Sequence, residues 1–215
     1  MGRTIVVGDI HGCFDELIDL MSLVNLQTDD RLVAVGDLIA KGPKSAAVLD
    51  LFINDSRFSS VLGNHDRLIK QRWRGEPVRL TKEQRQTSAE LEPGRERYFN
   101  FLRRLPYTID LGRYLVVHAG LRPGVPLRRQ MAADLTEIRT MGADPTQRRG
   151  VPWYAVYRGR KTVLFGHWPS RKPRIAAHAI GLDTACVYGG RLTGFIIETR
   201  EIVSVPARAA YARKR

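Results

Sequence analysis

The chain has 215 residues, 43% of them hydrophobic, enough for one folded domain around a single core. Its 35 lysines and arginines outnumber 22 aspartates and glutamates, a formal charge of +13 that suits a polyanionic partner: a nucleotide, a phosphoprotein or, through the basic surface, nucleic acid. No run approaches the roughly 20 consecutive apolar residues of a membrane span, the N-terminus enters a strand with no signal-peptide core, and Cys13 and Cys186 lack metal-site or disulfide-framework spacing, so a cytoplasmic protein with no membrane partner is expected.

Arg3–Val7 is a predicted strand, and Phe14–Val24 places Leu17, Leu20, Met21 and Val24 on one helical face. A strand over Arg31–Val35, a helix from near Pro43 to about Asn54 and a strand over Phe58–Leu62 complete a β-α-β-α-β run. Such alternation implies an α/β fold with a parallel sheet, whose ligands gather at the carboxyl ends of the strands. From Asp66 to Leu105 the pattern is helical and polar, broken by Gly75, Pro77, Pro93 and Gly94, and is expected to form a helical cap insertion (about 66–105) over the site. Beyond Pro106, Tyr107–Leu111 and Tyr114–Val117 read as a hairpin across Gly112-Arg113. Leu127 to about Gly150 is polar and partly helical, Thr162–Phe165 is a strand, and strands near Gly194–Glu198 and Ile202–Val205 follow. With no repeat or low-complexity segment, the expectation is a single domain over 1–205 and a basic C-terminal tail over 206–215.

Three clusters directly follow apolar runs: Gly8-Asp9-Ile10-His11-Gly12, Gly36-Asp37 and Gly63-Asn64-His65-Asp66. Of five histidines, His11, His65, His118 and His167 lie just beyond predicted strands, whereas His178 does not share that placement and reads as a packing residue. A single Asp after Gly at a strand end is ordinarily a turn or cap residue; two of them among these histidines point to metal binding. The inferred assembly puts Asp9, His11 and Asp37 on one ion and Asp37, Asn64, His118 and His167 on a second, with Asp37 bridging. Two divalent ions roughly 3.5–4 Å apart hold a hydroxide at neutral pH and neutralise a phosphoryl group in line with it. His65, left unligated, is placed to donate a proton to the leaving oxygen.

This constellation, with Gly36-Asp37-Leu38-Ile39-Ala40-Lys41-Gly42, His118-Ala119-Gly120 and Gly166-His167, resembles the calcineurin-like metallophosphoesterases of the phosphoprotein phosphatase superfamily. Asp66, Phe165-Gly166-His167-Trp168, Gly181-Leu182-Asp183-Thr184 and Tyr188-Gly189-Gly190-Arg191-Leu192-Thr193 are similar to the bacterial symmetrical diadenosine tetraphosphatases and ApaH-like phosphatases. The resemblance implies a four-layer αββα sandwich and two divalent ions, manganese foremost, with Co2+, Fe2+/Fe3+, Zn2+ or Mg2+ as substitutes. Ala40-Lys41 stands where the phosphoprotein phosphatases carry Asp-Arg, an Asp that orients the acid histidine and an Arg that clamps phosphate. Loss of the orienting carboxylate hurts an anhydride, with its good leaving group, less than a serine or threonine ester. Lys41 keeps the charge for phosphate without the fork of Arg. Arg139 is the expected second phosphate contact, with Arg158 and Arg160 as alternatives. The stretch between His118 and His167 is short for such a tetraphosphatase, and Trp73, Trp153 and Tyr157 are more readily packing residues than adenine platforms. The expected activity is symmetrical hydrolysis of diadenosine tetraphosphate and related dinucleoside polyphosphates to nucleoside diphosphates, by a monomer. A phosphoprotein phosphatase and a hydrolase of capped RNA 5' ends are the alternatives.

Overall fold

Short apolar strands, buried on both faces, run through the centre of the molecule. The structure is a computed structural model and describes residues 2–213. In chain order it contains β1 (Thr4–Val7), α1 (Phe14–Leu23), β2 (Arg31–Ala34), α2 (Ser45–Asn54), β3 (Phe58–Ser60) and α3 (Asn64–Trp73), then α4 (Lys82–Glu90) and α5 (Arg95–Leu102). There follow β4 (Thr108–Leu111), β5 (Tyr114–Val117), α6 (Ala132–Glu137), β6 (Thr140–Met141), β7 (Val151–Pro152), α7 (Trp153–Val156), β8 (Thr162–Phe165), β9 (Arg174–Ala176), β10 (Ala179–Gly181), β11 (Arg191–Ile196) and β12 (Glu201–Pro206). One five-stranded sheet has the order β12-β11-β1-β2-β3, a second has β4-β5-β8-β10-β9, and β6 and β7 pair as a small two-stranded sheet. β1, β2 and β3 are parallel, as the alternation predicts, and β11 joins β1 antiparallel with Val7 opposite Gly194.

Side chains alternate across each strand, and that period of two builds the layers. From β1, Ile5 and Val7 enter a cluster with Leu17 and Leu20 of α1 and with Val48, Leu49 and Phe52 of α2. Val6, between them, joins Val33 and Val61 of its own sheet side and Val116 and Leu164 of the other sheet. The second sheet turns Leu115, Val117, Val163 and Phe165 outward onto Leu135 and Trp153. Helices, sheet, sheet and helices therefore stack as four layers, the αββα sandwich. Each fully buried Val, Leu or Ile in them contributes about 1.5–3 kcal/mol relative to exposure.

Two local features bear on the site. Helix α4 begins with a reciprocal capping box: Thr81 Oγ1 accepts from the Gln84 backbone N–H (3.3 Å), and Gln84 Oε1 accepts from the Thr81 N–H (2.9 Å). The segment after β12 returns to α1, where Arg208 pairs with Asp19 and the Tyr211 hydroxyl donates to Glu16 (2.8 Å). The described part of the basic 206–215 segment is thus packed on the domain, and Lys214 and Arg215 lie outside the described residues.

The sequence reading missed β6, β7, β9 and β10. None is longer than three residues, too short for a period of two to show in the sequence. His178 sits in the turn between β9 and β10. Among the described residues no helix is long and apolar enough to cross a membrane.

Candidate active site

The residues singled out as donors all lie just past strand ends: Asp9 and His11 beyond β1, Asp37 beyond β2, Asn64 and His65 beyond β3, His118 after β5 and His167 after β8. These turns are strained. His11 (φ 49°), Asp37 (φ 50°) and His167 (φ 66°) occupy the left-handed region, as do Ala40 (φ 76°) and Lys41 (φ 73°), at a cost on the order of 1–3 kcal/mol each. A backbone net holds them there: the His11 N–H donates to Asp37 O (2.7 Å) and the Gly12 N–H to Leu38 O (2.8 Å). The buried Asp66 carboxylate accepts from the Gly63 N–H (3.1 Å), joining the start of α3 to the Asp37 loop through longer bonds from Ile39 (3.3 Å) and Leu38 (3.4 Å). Both Asp9 oxygens accept from the His167 N–H at 3.1 Å, which ties the two sheets together at the site.

Asp37 is central. Its Oδ2 lies 3.5 Å from His11 Nε2 and 3.5 Å from His118 Nε2. Asn64 Oδ1 lies 2.9 Å from His118 Nε2 and 3.0 Å from His167 Nδ1. Two groups have all their ligand atoms within 4.8 Å of one another, Asp9-Asp37-His118 and His11-Asp37-His65, and Asp37 belongs to both. His65 therefore stands nearer the donors than a purely remote acid would, and Asp9 Oδ2 is 3.9 Å from His11 Nε2.

The outer nitrogens of three histidines show what the inner ones can do. His11 Nδ1 faces Ile39 O (3.2 Å), His118 Nδ1 faces Val35 O (2.9 Å) and His167 Nε2 faces Glu137 O (3.2 Å). A carbonyl only accepts, so those nitrogens carry the protons and the others turn lone pairs onto the oxygens of Asp37 and Asn64. Acceptors packed against acceptors call for a cation among them. Lys41 already brings one, its Nζ lying 3.0 Å from His11 Nε2. The donor set of carboxylate, imidazole and amide oxygen fits divalent metal ions of the borderline class.

Electrostatics agree. Burial pushes Asp37 up to about 7 against the pull of Lys41, and lifts Asp9 well above the ordinary carboxylate range, with Asp183 and Asp37 adding repulsion. Burial also lowers His118 to about 4 and holds His11 and His167 well below their usual value, leaving neutral imidazoles, the form in which histidine can bind a metal.

The site opens into a cleft of about 210 Å³ whose wall includes Lys41, Arg139, Arg148, Asp183, Tyr188 and Arg213. Arg139 lines this cleft, its Nη1 donating to Thr146 O (2.7 Å) and its buried Nε without a partner among the described residues. Arg158 instead donates to Ala155 O and Tyr157 O and borders a different groove, together with Arg160. Trp153 is fully buried with its Nε1 donating to Ala119 O, and Trp73 packs among the helices, so both are core residues. The residues that sequence reasoning did not single out are Asp183, which follows the missed strand β10, and Arg148, Tyr188, Arg213 and Gln84. Asp183 was visible only inside the Gly181–Thr184 segment. Apart from the cleft, Cys13, Glu16 and Cys186 bring their ligand atoms within 4.8 Å of one another, a proximity that sequence spacing did not show.

Comparison with known proteins adds the lineage. The family model of the calcineurin-like phosphoesterases matches residues 2–199. A Bacillus subtilis protein named bis(5'-nucleosyl)-tetraphosphatase PrpE, asymmetrical, is 31% identical, covering 98% of this chain and 97% of its own. The Bacillus cereus protein of that name is 30% identical over 94% and 93%. Both relatives are matched almost end to end, over 239 and 232 aligned positions, so the 215-residue chain is somewhat shorter than they are. A crystal structure of a candidate diadenosine tetraphosphatase superposes with a TM-score of 0.79 at 37% identity, covering 96% of this chain and 94% of that one. A Saccharomyces cerevisiae serine/threonine phosphatase structure, TM-score 0.67 at 16% identity, shares the fold.

Proposed function

The chain belongs to the calcineurin-like phosphoesterases, and from that footing we propose that it hydrolyses dinucleoside polyphosphates such as diadenosine tetraphosphate by attack of water on a phosphoanhydride. The observation that carries this is the convergence of three tethered imidazole lone pairs on Asp37 and Asn64. Asp9, His11, Asp37, Asn64, His118 and His167 are assigned as the metal ligands. Two divalent ions held there, manganese by assignment, would acidify water and neutralise phosphoryl charge.

The residues around them handle the substrate. Lys41 and Arg139, facing the cleft from opposite loops, are assigned to the phosphate chain, with Arg148 and Arg213 along the same wall. A cleft of about 210 Å³ is smaller than the roughly 300–1,000 Å³ that encloses a whole drug-sized ligand, so the phosphates enter and the nucleosides lie along the rim. Expected symmetrical cleavage gives two nucleoside diphosphates, whereas the Bacillus relatives are named for asymmetrical cleavage, which gives a triphosphate and a monophosphate. The two differ in which P–O–P bridge is broken, the central one or one next to a nucleoside monophosphate, and the relatives' names favour the second. With its free cysteines buried, a reducing cytoplasm is the assigned compartment.

The test is an assay of the manganese-loaded protein on diadenosine tetraphosphate, a phosphopeptide and a capped RNA, with nucleotide products resolved by chromatography. ADP alone marks symmetrical cleavage, and ATP with AMP marks asymmetrical cleavage. Rapid phosphate release from the phosphopeptide with no attack on the tetraphosphate would sink the anhydride reading.

A further inference from the structure

His65 breaks the pattern of the other site histidines. Where His11, His118 and His167 turn the outer nitrogen to a backbone carbonyl, His65 Nδ1 lies 3.0 Å from Gln84 Nε2, an amide nitrogen. The capping box of α4 fixes which end of the Gln84 amide faces the ring. Oε1 is engaged by the Thr81 N–H at 2.9 Å, and a flipped amide would set two donors against each other there. Gln84 is 2% exposed, so solvent does not compete for it. An amide NH2 only donates. His65 Nδ1 is therefore the unprotonated nitrogen, and Nε2, on the far side of the ring, carries the proton.

The geometry points to Gln84 as a positioning and specificity-determining residue, which holds His65 as the Nε2-protonated tautomer, off the metal and with its N–H presented to the leaving oxygen. The first consequence is coordination. His65 comes within 4.8 Å of the ligand atoms of His11 and Asp37, yet with a proton on Nε2 and Nδ1 engaged by Gln84 it has no lone pair to give. The second is substrate preference. As the oxygen of water bonds to phosphorus, the P–O bond of the anhydride breaks and the leaving phosphate departs with the electron pair as a stable anion. The proton of the water passes to solvent, and His65 keeps its own while donating a hydrogen bond. An alkoxide leaving from a serine or threonine ester needs a whole proton, which a neutral imidazole does not readily surrender. Ala40 offers this ring no side-chain partner; Gln84 supplies one of donor character, and so favours phosphoanhydrides over alkyl phosphate esters. That preference rests on the phosphohydrolase reading, whereas the tautomer does not.

Two variants separate the effects. Gln84→Glu keeps the capping box, because a carboxylate accepts the Thr81 N–H equally well, but replaces the donor at His65 by an acceptor. Gln84→Met keeps the bulk and removes the hydrogen bond. In 15N-histidine-labelled protein loaded with diamagnetic Mg2+, the wild-type His65 ring is expected to show an unprotonated Nδ1 and a protonated Nε2. Gln84→Glu is expected to protonate Nδ1. It should also raise the kcat ratio of an alkyl phosphate to diadenosine tetraphosphate about tenfold, the worth of one positioned hydrogen bond, with KM little changed. A protonated Nδ1 in the wild type overturns the proposal, as does a ring signature and kcat ratio unaltered in both folded variants. If the protein turns over neither substrate, the proposed function fails and the 15N signature still decides the role of Gln84.

Discussion

Replacing Gly166 by alanine should empty one metal position without unfolding the protein. Gly166 precedes His167 at the end of β8, and a Cβ there would stand 1.8 Å from Asp9 Oδ1 and 2.6 Å from Val35 Cγ2. Ordinary contact begins near 3.4 Å, so the carboxylate would have to retreat by about 1.5 Å, whereas metal–ligand distances hold to about 0.2 Å. The bonds from the His167 N–H to both Asp9 oxygens go with it. Overpacking of this kind costs about 1–3 kcal/mol, within reach of a domain with three contiguous buried clusters. Metal affinity at the Asp9 position should fall by about 10–100-fold or more, since even lost ligand support does that much. Elemental analysis after desalting reads the outcome directly: about one ion per chain in place of two, with a cooperative thermal melt retained. Two ions per chain and undiminished turnover in the variant would refute the placement of Asp9 in the metal centre.

Asp37→Asn should lose both ions and all turnover, because its Oδ2 lies between His11 and His118, whereas His65→Asn should keep both ions and slow the chemistry; equal metal loss, by the same elemental analysis, would contradict an unligated His65. Chelation should expose the buried carboxylates. Asp37 is raised to about 7 from an ordinary 3.8, so its own contribution to the stability of the metal-free fold is lost as pH rises from about 4 to about 7, while the lowered His118 works in the opposite sense over the same range. Thermal melts of EDTA-treated wild type and Asp37→Asn over that range isolate the Asp37 part as the difference between them; parallel curves would be the wrong result. Arg3 and Asp30 give the opposite sign. The hydrogen bond from Arg3 holds Asp30 down at about 2, so their contribution is complete above about 4 and vanishes as pH falls toward 2. Allowing for the part-exposed Arg3, Asp30→Asn should cost about 1–2 kcal/mol in urea titrations at pH 7 and almost nothing near pH 2; an equal cost at both would rule out the ion pair as its source.

The first sheet was legible because β1, β2 and β3 are apolar runs joined by an amphipathic helix at each crossover, which leaves one reading of their pairing. Asp9, His11, Asp37, Asn64, His118 and His167 were legible for a related reason: each ends such a run, so strand ends and site coincide. The second sheet was half legible. β4, β5 and β8 carry the pattern, but β9 and β10 are too short for any period, and with β10 went Asp183. Gln84 carried only the signal of a helix start, as the last residue of the Thr81-Lys82-Glu83-Gln84 capping box; only the fold brings α4 over the α3 N-terminus and sets that amide against His65. Arg148 and Arg213 were hidden among many arginines, where composition cannot tell a cleft wall from a surface.

The pairing of β1 with β11 bears on how the protein is made. Val7 lies between Ala34 on one side and Gly194 on the other, so during synthesis β1 waits for a neighbour almost the whole length of the chain away, and closing a connection that long is slow. Asp9, His11, Asp37 and Asn64 leave the ribosome early, His118 and His167 much later. A nascent chain therefore carries only part of the donor set beside an open sheet edge. The assigned donors are all present only once His167 has been made, and β11, which follows it, closes the edge of the sheet that β1 opens.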